Sequence, residues 1–459
     1  MVEAVGKTLR DSKAARWTSL MIVSFTMLCG YYVADIMSPL KPLIEQQLHW
    51  TSSQYGFFTG AYAWFNVFLA MLIFAGFVLD KMGARFAGLL AGVLMVAGCA
   101  AKYWAVSTHA LDGREILGVH VRVMIASLGY AAVGVCLELC GITATEIIAR
   151  WFKGYEMALA MGLQLSTARV GTAIALGLGA PIATVFGAVA APVLVGLLLL
   201  GVGLVAFVLY CSLDRKLDAS EVEGAQGREE EEAFRLSDIG SILRIRAFWY
   251  VAVLCALFYS AVFPFLKYAP DLMVQKFHVR DSLAGLIPSI LPFATIPLTV
   301  VFGNFYDRRG KGASIMLLGS VLLVAVHLAF TVPLWSHWIV ALLATTVLGF
   351  GFSLVPSAMW PSVPRMIPHR QLGTAFALIF WLQNLVALWG APYLIGWILD
   401  RFCITGTRVV EGTVTPSYDY TIPMAVFTVF GIVSVVFALL LKAEDRKAGY
   451  GLELPCHTK

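Results

Sequence analysis

Two ionisable residues of opposite sign, Glu138 and Arg169, interrupt apolar runs on either side of a short basic hairpin, Arg150-Trp151-Phe152-Lys153-Gly154. Glu138 precedes Arg150 by 12 residues, and Arg169 follows Gly154 by 15. With both runs helical, a rise of ~1.5 Å per residue puts both charges roughly 18–23 Å from one membrane face. An ionised group at that depth costs ~2.5 kcal/mol or more, so each is expected to face a partner or a water-filled cavity. The pair suits a zwitterion. A guanidinium donates two parallel hydrogen bonds to a carboxylate, and the Glu138 carboxylate can accept from an ammonium. Without substrate the two are expected to pair with each other. The plainer reading is a permanent ion pair that ties two helices together.

Other residues could complete such a site. Asp35, in Tyr31-Tyr32-Val33-Ala34-Asp35, lies ~27 Å along its helix from Trp17. It reads either as an amine or proton site or as an interfacial acid. Tyr31 fits a pocket or an aromatic belt. Trp360, before Pro361, offers a flat wall for a substrate side chain. Gln383 and Asn384 are mid-span amides that can bond peptide groups or join helices. Gln164 and Ser166 stand within a turn of Arg169 and are candidates to orient it. Lys267 is expected to snorkel to water, and His327 to pack. Pro264, Pro288, Pro292 and Pro297 permit bends.

The elements that must position these residues are membrane helices. Of 459 residues 59% are hydrophobic and only 13% charged, which excludes an ordinary soluble surface. The runs are too long and too apolar for barrel strands. Twelve spans are predicted, at 17–38, 54–79, 86–106, 121–149, 156–183, 186–212, 247–270, 284–306, 312–333, 337–362, 372–399 and 421–442. The expected organisation is an N-terminal tail (1–16), a six-helix bundle (17–212), a linker (213–246), a second bundle (247–442) and a C-terminal tail (443–459). The linker carries the acidic run Arg228-Glu229-Glu230-Glu231-Glu232, read as a solvated segment. Of 33 Lys and Arg residues, 23 fall on the side of the termini and nine on or near the other; Arg169 is inside. The positive-inside rule then places both termini in the cytoplasm. A polar start leading into a full span predicts no cleavable signal peptide.

The two halves repeat. Gly76-x3-Asp80-Lys81-x-Gly83-x-Arg85 follows the second predicted span, and Gly303-x3-Asp307-Arg308-x-Gly310-Lys311 follows the eighth, 227 residues later. Each reads as a tight turn whose acid can pair with a base or a helix N-terminus in one conformation only, a latch between two states. Two copies at matching positions point to a duplicated fold. The motif and the 6+6 plan resemble the major facilitator superfamily, with Ala84 where that pattern usually has a base. A narrower resemblance, to the lysosomal dipeptide transporter branch, rests on Arg150-Trp-Phe-Lys-Gly, Gly162-Leu-Gln-Leu-Ser-Thr-Ala-Arg169, Val262-Phe-Pro-Phe265, Trp360-Pro361, Gln371-Leu-Gly-Thr-Ala375 and Gln383-Asn384. It implies an uncoupled or weakly coupled dipeptide carrier with Glu138 and Arg169 in the substrate cavity, and an accessory membrane glycoprotein subunit. No acidic dileucine signal is evident in the N-terminal tail, so the expected address is a bacterial inner membrane, with the lysosomal membrane as the alternative.

Several classes are disfavoured. There is no Walker-type phosphate loop, Gly-x-Ser-x-Gly elbow or His-Glu-x2-His helix. The eight scattered cysteines suggest neither disulfides nor a metal site. No enzyme activity, cofactor, metal or nucleic-acid partner is expected, and the net charge of +5 reflects topology. The competing functions are an organic-anion or organophosphate carrier on the same fold and, from another class, a non-transporting receptor or scaffold.

Overall fold

Apolar runs of about 20 residues can satisfy their backbone groups in a bilayer only as helices, and helices dominate the chain. The computed structural model describes residues 9–116, 118–220, 238–410 and 413–455, and the backbone alone at 10, 71–78, 80, 158, 220 and 410. The acidic run at 228–232 therefore lies outside the described residues, as do the side chains of 76 and 80 in the first repeat.

Span one is α1 (Lys13–Asp35), extended after a turn at Ser38–Leu40 by α2 (Lys41–Leu48). Span two is broken into α3 (Ser52–Gly60), α4 (Trp64–Phe68) and the start of α5 (Met71–Ser107). The break falls at Ala70, whose φ is 49°. Spans two and three join inside α5 at Gly83, whose φ of 76° reverses the chain. There follow a short hairpin of β1 (Glu115–Ile116) and β2 (Val119–His120), then α6 (Val121–Trp151), α7 (Met157–Phe186) and α8 (Ala190–Ser220). A single turn, α9 (Ile239–Ile242), leads into the second half.

Span seven is split into α10 (Arg246–Ser260) and α11 (Phe263–Gln275), with Pro264 in the first turn of α11. The next spans are α12 (Leu286–Arg309), α13 (Gly312–Thr331) and α14 (Trp338–Met366). Span eleven is α15 (Leu372–Gln383), a π-helical segment (Asn384–Gly390) and α16 (Ala391–Phe402). A hairpin of β3 (Ile404–Val410) and β4 (Thr413–Tyr418), antiparallel with Arg408 opposite Thr415, precedes α17 (Thr421–Ala448). Eleven helical stretches among the described residues are long and apolar enough to cross a bilayer. The broken second span makes twelve crossings.

Each half packs mainly on itself, and the halves meet where α7 packs on α12 and α3 on α16. The second contact needs bare backbone. A Cβ on Gly396 would lie 2.2 Å from the Ser52 carbonyl oxygen, and one on Gly56 would lie 2.6 Å from that of Pro392. Small residues that let helix backbones touch are the usual device inside a membrane.

The two Gly/Asp turns are held differently. In the first half, Arg85 reaches Asp218 at 2.6 Å and Asp214 at 3.5 Å. Arg150 shares both acids, and Trp151 and Tyr210 donate to Asp214. In the second half Asp307 and Arg308 are exposed, and the turn is strapped by the C-terminal segment. Gly310 has φ 67°, and a Cβ there would lie 2.4 Å from the Leu454 backbone. The Lys311 and Gly312 amides donate to the Glu453 and Leu452 carbonyls at 3.0 and 2.8 Å. The Glu453 carboxylate accepts from the Ser314 amide at 2.8 Å and its hydroxyl at 3.0 Å. Arg365 donates to the carbonyls of Gly451 and Leu454, while Leu452 is fully buried. An acid over the free N–H groups of α13 satisfies them and its dipole together. Glu453→Ala is expected to cost about 1 kcal/mol and to raise tryptic clipping at Arg446 and Lys447. An unchanged melting curve and clipping rate would refute the strap.

Candidate functional site

Arg169 sits on α7, 12 residues beyond its first residue, Met157. It is half-buried, with its guanidinium carbon 5.1 Å from the centre of the Phe352 ring. Among the described residues its side chain has no ion-pair or hydrogen-bond partner. It faces a cavity of about 470 Å³ lined also by Tyr259, Phe263, Trp360, Phe376, Phe380 and Gln383. The volume falls within the range of small-molecule sites. One charged residue from the first half thus meets walls built wholly by the second.

The walls follow from local structure. Tyr259 and Phe263 flank the α10–α11 break, which turns both rings to the same side, stacked 4.9 Å apart. Trp360 on α14 stacks on Phe380 of α15 at 4.8 Å and 24°, with Phe376 one turn away. Gln383, at the end of α15 where the π-helical segment begins, is buried and accepts from the Cys255 thiol at 3.4 Å. An aromatic box with one amide and one guanidinium can hold an apolar group and fix a carboxylate.

Glu138 is not a lining residue. It is half-buried on α6, and its carboxylate accepts from the Tyr62 hydroxyl at 3.2 Å. It forms no ion pair with Arg169, contrary to the pairing expected for the empty site. Tyr31 of α1 feels the charges of both Glu138 and Arg169. The Ser166 hydroxyl turns back to the Gly162 carbonyl at 2.8 Å, away from any orienting role at Arg169, and Gln164 is buried.

Asp35 and Lys267 depart furthest from their sequence reading. The Lys267 ammonium is 2.6 Å from one Asp35 oxygen, and donates to the Ala34 carbonyl at 2.9 Å and the Tyr130 hydroxyl at 3.1 Å. It does not snorkel, because a carboxylate and two further acceptors replace water at close range. The other Asp35 oxygen accepts from Thr172 at 2.7 Å. Asp35 therefore joins the halves near the face opposite the termini, the distal face. Asn384 also bridges the halves, with Asn66 at 3.5 Å, and donates to the Phe380 carbonyl at 2.9 Å. His327 is buried among Phe265, Phe330 and Phe427, with one ring nitrogen on the Ala261 carbonyl.

Sequence reasoning did not single out Tyr259, Phe376 or Phe380. Aromatic residues in an apolar span carry no signal of their own, and only the break in span seven and the position of α15 turn them inward. The distal contacts were also missed. The Asp400 carboxylate accepts from the Ser52 and Ser53 amides at 3.0 and 2.6 Å, and Tyr55 donates to the Lys267 carbonyl at 2.9 Å.

Known proteins resemble this chain in sequence and in structure. The chain is 28% identical over 399 residues to the mouse lysosomal dipeptide transporter MFSD1, covering 84% of this chain and 81% of that one. It is 26% identical to the bovine protein, covering 84% and 80%. A hexuronate transporter of Escherichia coli K12 is 21% identical, covering 81% and 84%. Among solved structures, an inward-facing, unoccupied bacterial homologue of the human lysosomal transporter Spinster superposes with a TM-score of 0.65 at 13% identity, over 98% of this chain and 99% of that one. The xylose transporter XylE of E. coli gives 0.63 at 14%, over 92% and 96%. The Major Facilitator Superfamily model matches residues 20–391. With twelve crossings in two six-span halves and a cavity where they meet, the chain belongs to the major facilitator superfamily, as a multi-pass membrane transporter.

Proposed function

We propose that this transporter carries dipeptides or similar zwitterions by uniport or with weak proton coupling. The observation that carries the reading is the separation of its two intramembrane charges. Arg169 faces the cavity without an anion, and Glu138 stands apart with a tyrosine as its partner. A guanidinium and a carboxylate that are not paired with each other leave each free for the opposite pole of a substrate. The peptide carboxylate goes to Arg169, the ammonium is drawn to Glu138 past Tyr31, Gln383 bonds the peptide group, and Trp360 bounds the side chain. The curated relatives with the higher identities are named as dipeptide transporters, which agrees with this chemistry.

The halves alternate about this site, with the termini in the cytoplasm and the turns carrying Asp80 and Asp307 acting as latches on that side. The membrane is a bacterial inner membrane, with the lysosomal membrane as the alternative address and an accessory glycoprotein subunit tied to that address. A second reading, an organic anion as cargo, is favoured by one fact: of the two charges, Arg169 alone lines the cavity.

Liposomes loaded with a dipeptide should show counterflow of a labelled dipeptide, and Arg169→Ala should abolish it. Removing one partner of a desolvated charge pair costs about 2–5 kcal/mol, roughly thirtyfold or more in affinity. Full counterflow by Arg169→Ala would remove the site. Trp360→Ala is expected to raise KM for dipeptides with large apolar side chains about tenfold more than for glycyl peptides. An equal change for both would deny Trp360 its place as the wall. A melting shift produced by organic anions but not by dipeptides would favour the second reading.

A further inference from the structure

At the distal interface a cluster of charges is sealed from water. The Lys41 ammonium lies 2.7 Å from Glu45 Oε1 and 2.6 Å from Asp271 Oδ2, and the exposures of the three side chains are 0%, 2% and 0%. Lys41 and Glu45 share α2 in the first half; Asp271 is on α11 in the second. The groups facing Glu45 come from every neighbouring element. Ser52 of α3 donates to Oε1 at 2.9 Å, and β4 puts the Tyr418 ring 4.7 Å from the Lys41 nitrogen. The Tyr420 hydroxyl, just before α17, donates to Asp271. The rings of Tyr55 and Tyr268 lie 6.0 Å from the Lys41 nitrogen. Asp400 of α16 accepts from the Tyr418 hydroxyl at 3.4 Å, but its charge is committed to the amides that open α3.

The charges do not balance. One ammonium faces two carboxylates, and an uncompensated buried charge is strongly disfavoured. The two acids are not equivalent. Asp271 accepts from Lys41, Tyr420 and Gln275, so both of its oxygens are engaged. Glu45 spends Oε1 on Lys41 and Ser52, while its Oε2 is buried without a hydrogen-bond partner among the described residues. A proton on Oε2 neutralises the cluster at the one oxygen with nothing to lose.

We infer that Glu45 takes up one proton from the distal compartment each time the distal face closes and returns it to the same compartment on opening. When the halves part, Asp271, Tyr268, Tyr418 and Tyr420 leave with the second half. Lys41 and Glu45 remain as a balanced i,i+4 pair in water, where a glutamic acid releases its proton near its ordinary value of about 4.3. Closure binds a proton, so the closed-to-open ratio rises as pH falls. The slope is up to about tenfold per pH unit from that value up to the pH at which the buried carboxyl itself ionises, and zero beyond it. The proton never crosses the membrane, so distal pH biases the conformational cycle without driving transport.

The test uses the full chain with spin labels at Glu115→Cys and Ser336→Cys, exposed positions in distal loops of opposite halves; the seven described native cysteines are buried. Distance distributions are recorded between about pH 5.5 and about pH 8.5. In the otherwise native chain the short-distance population should grow as pH falls. Glu45→Gln should be flat with pH and mostly closed. Asp271→Asn, which leaves Lys41 and Glu45 balanced, should also be flat, and it decides the matter should Glu45→Gln fail to fold. A flat profile in the native chain, or either variant following the native curve, would overturn the assignment. No solute is present, so failure here leaves the dipeptide reading intact, and failure of that reading leaves this one.

Discussion

A guanidinium held halfway through a membrane bundle with no carboxylate beside it is the constraint on which the rest depends. Arg169 could have been neutralised by Glu138, in the preceding span. Instead Glu138 is bonded to Tyr62, and Arg169 looks into an aromatic cavity. A charge in that position persists where water or a charged solute can reach it. The cavity meets that requirement, and its aromatic walls leave the guanidinium as the strongest handle for a ligand.

The division of labour between the halves follows. The first half supplies Arg169 to the cavity; the second supplies Tyr259, Phe263, Trp360, Phe376, Phe380 and Gln383. A site split this way is dismantled when the halves rock, which is what alternating exposure requires. The polar ties obey the same division. Those joining the halves at the distal face, Lys41 to Asp271, Lys267 to Asp35 and Asp400 to α3, must break together for that face to open. On the side of the termini, Arg85 and Arg150 pair within the first half, and Glu453 caps α13 within the second. Those internal ties keep each half rigid while the interface changes.

Much of this was legible in the sequence, for physical reasons. Spans announce themselves because oil tolerates only long apolar helices, and Arg169 announces itself because a charge inside such a run is costly. The turn at Gly83 could be foreseen from its motif, and its positive φ needs glycine. Other features were illegible because they depend on partners far away in the chain. Lys41 and Asp271 are 230 residues apart, and Lys41 falls beyond the predicted end of span one, so nothing marked it as buried. Lys267 near a span end looked free to reach water until the fold brought Asp35 beside it. The C-terminal segment reads as a plain polar tail, and only the backbone of the second turn reveals that it is a strap. Asp80, the acid of the first turn, has only its backbone described.

The central claim is that Arg169 reads a carboxylate. The most direct measurement compares the melting temperature of the intact transporter with a dipeptide and with the same dipeptide amidated at its C-terminus, since a ligand bound to the folded state stabilises it by mass action. The account predicts a concentration-dependent rise with the free carboxylate and none with the amide. Equal stabilisation by both would contradict it.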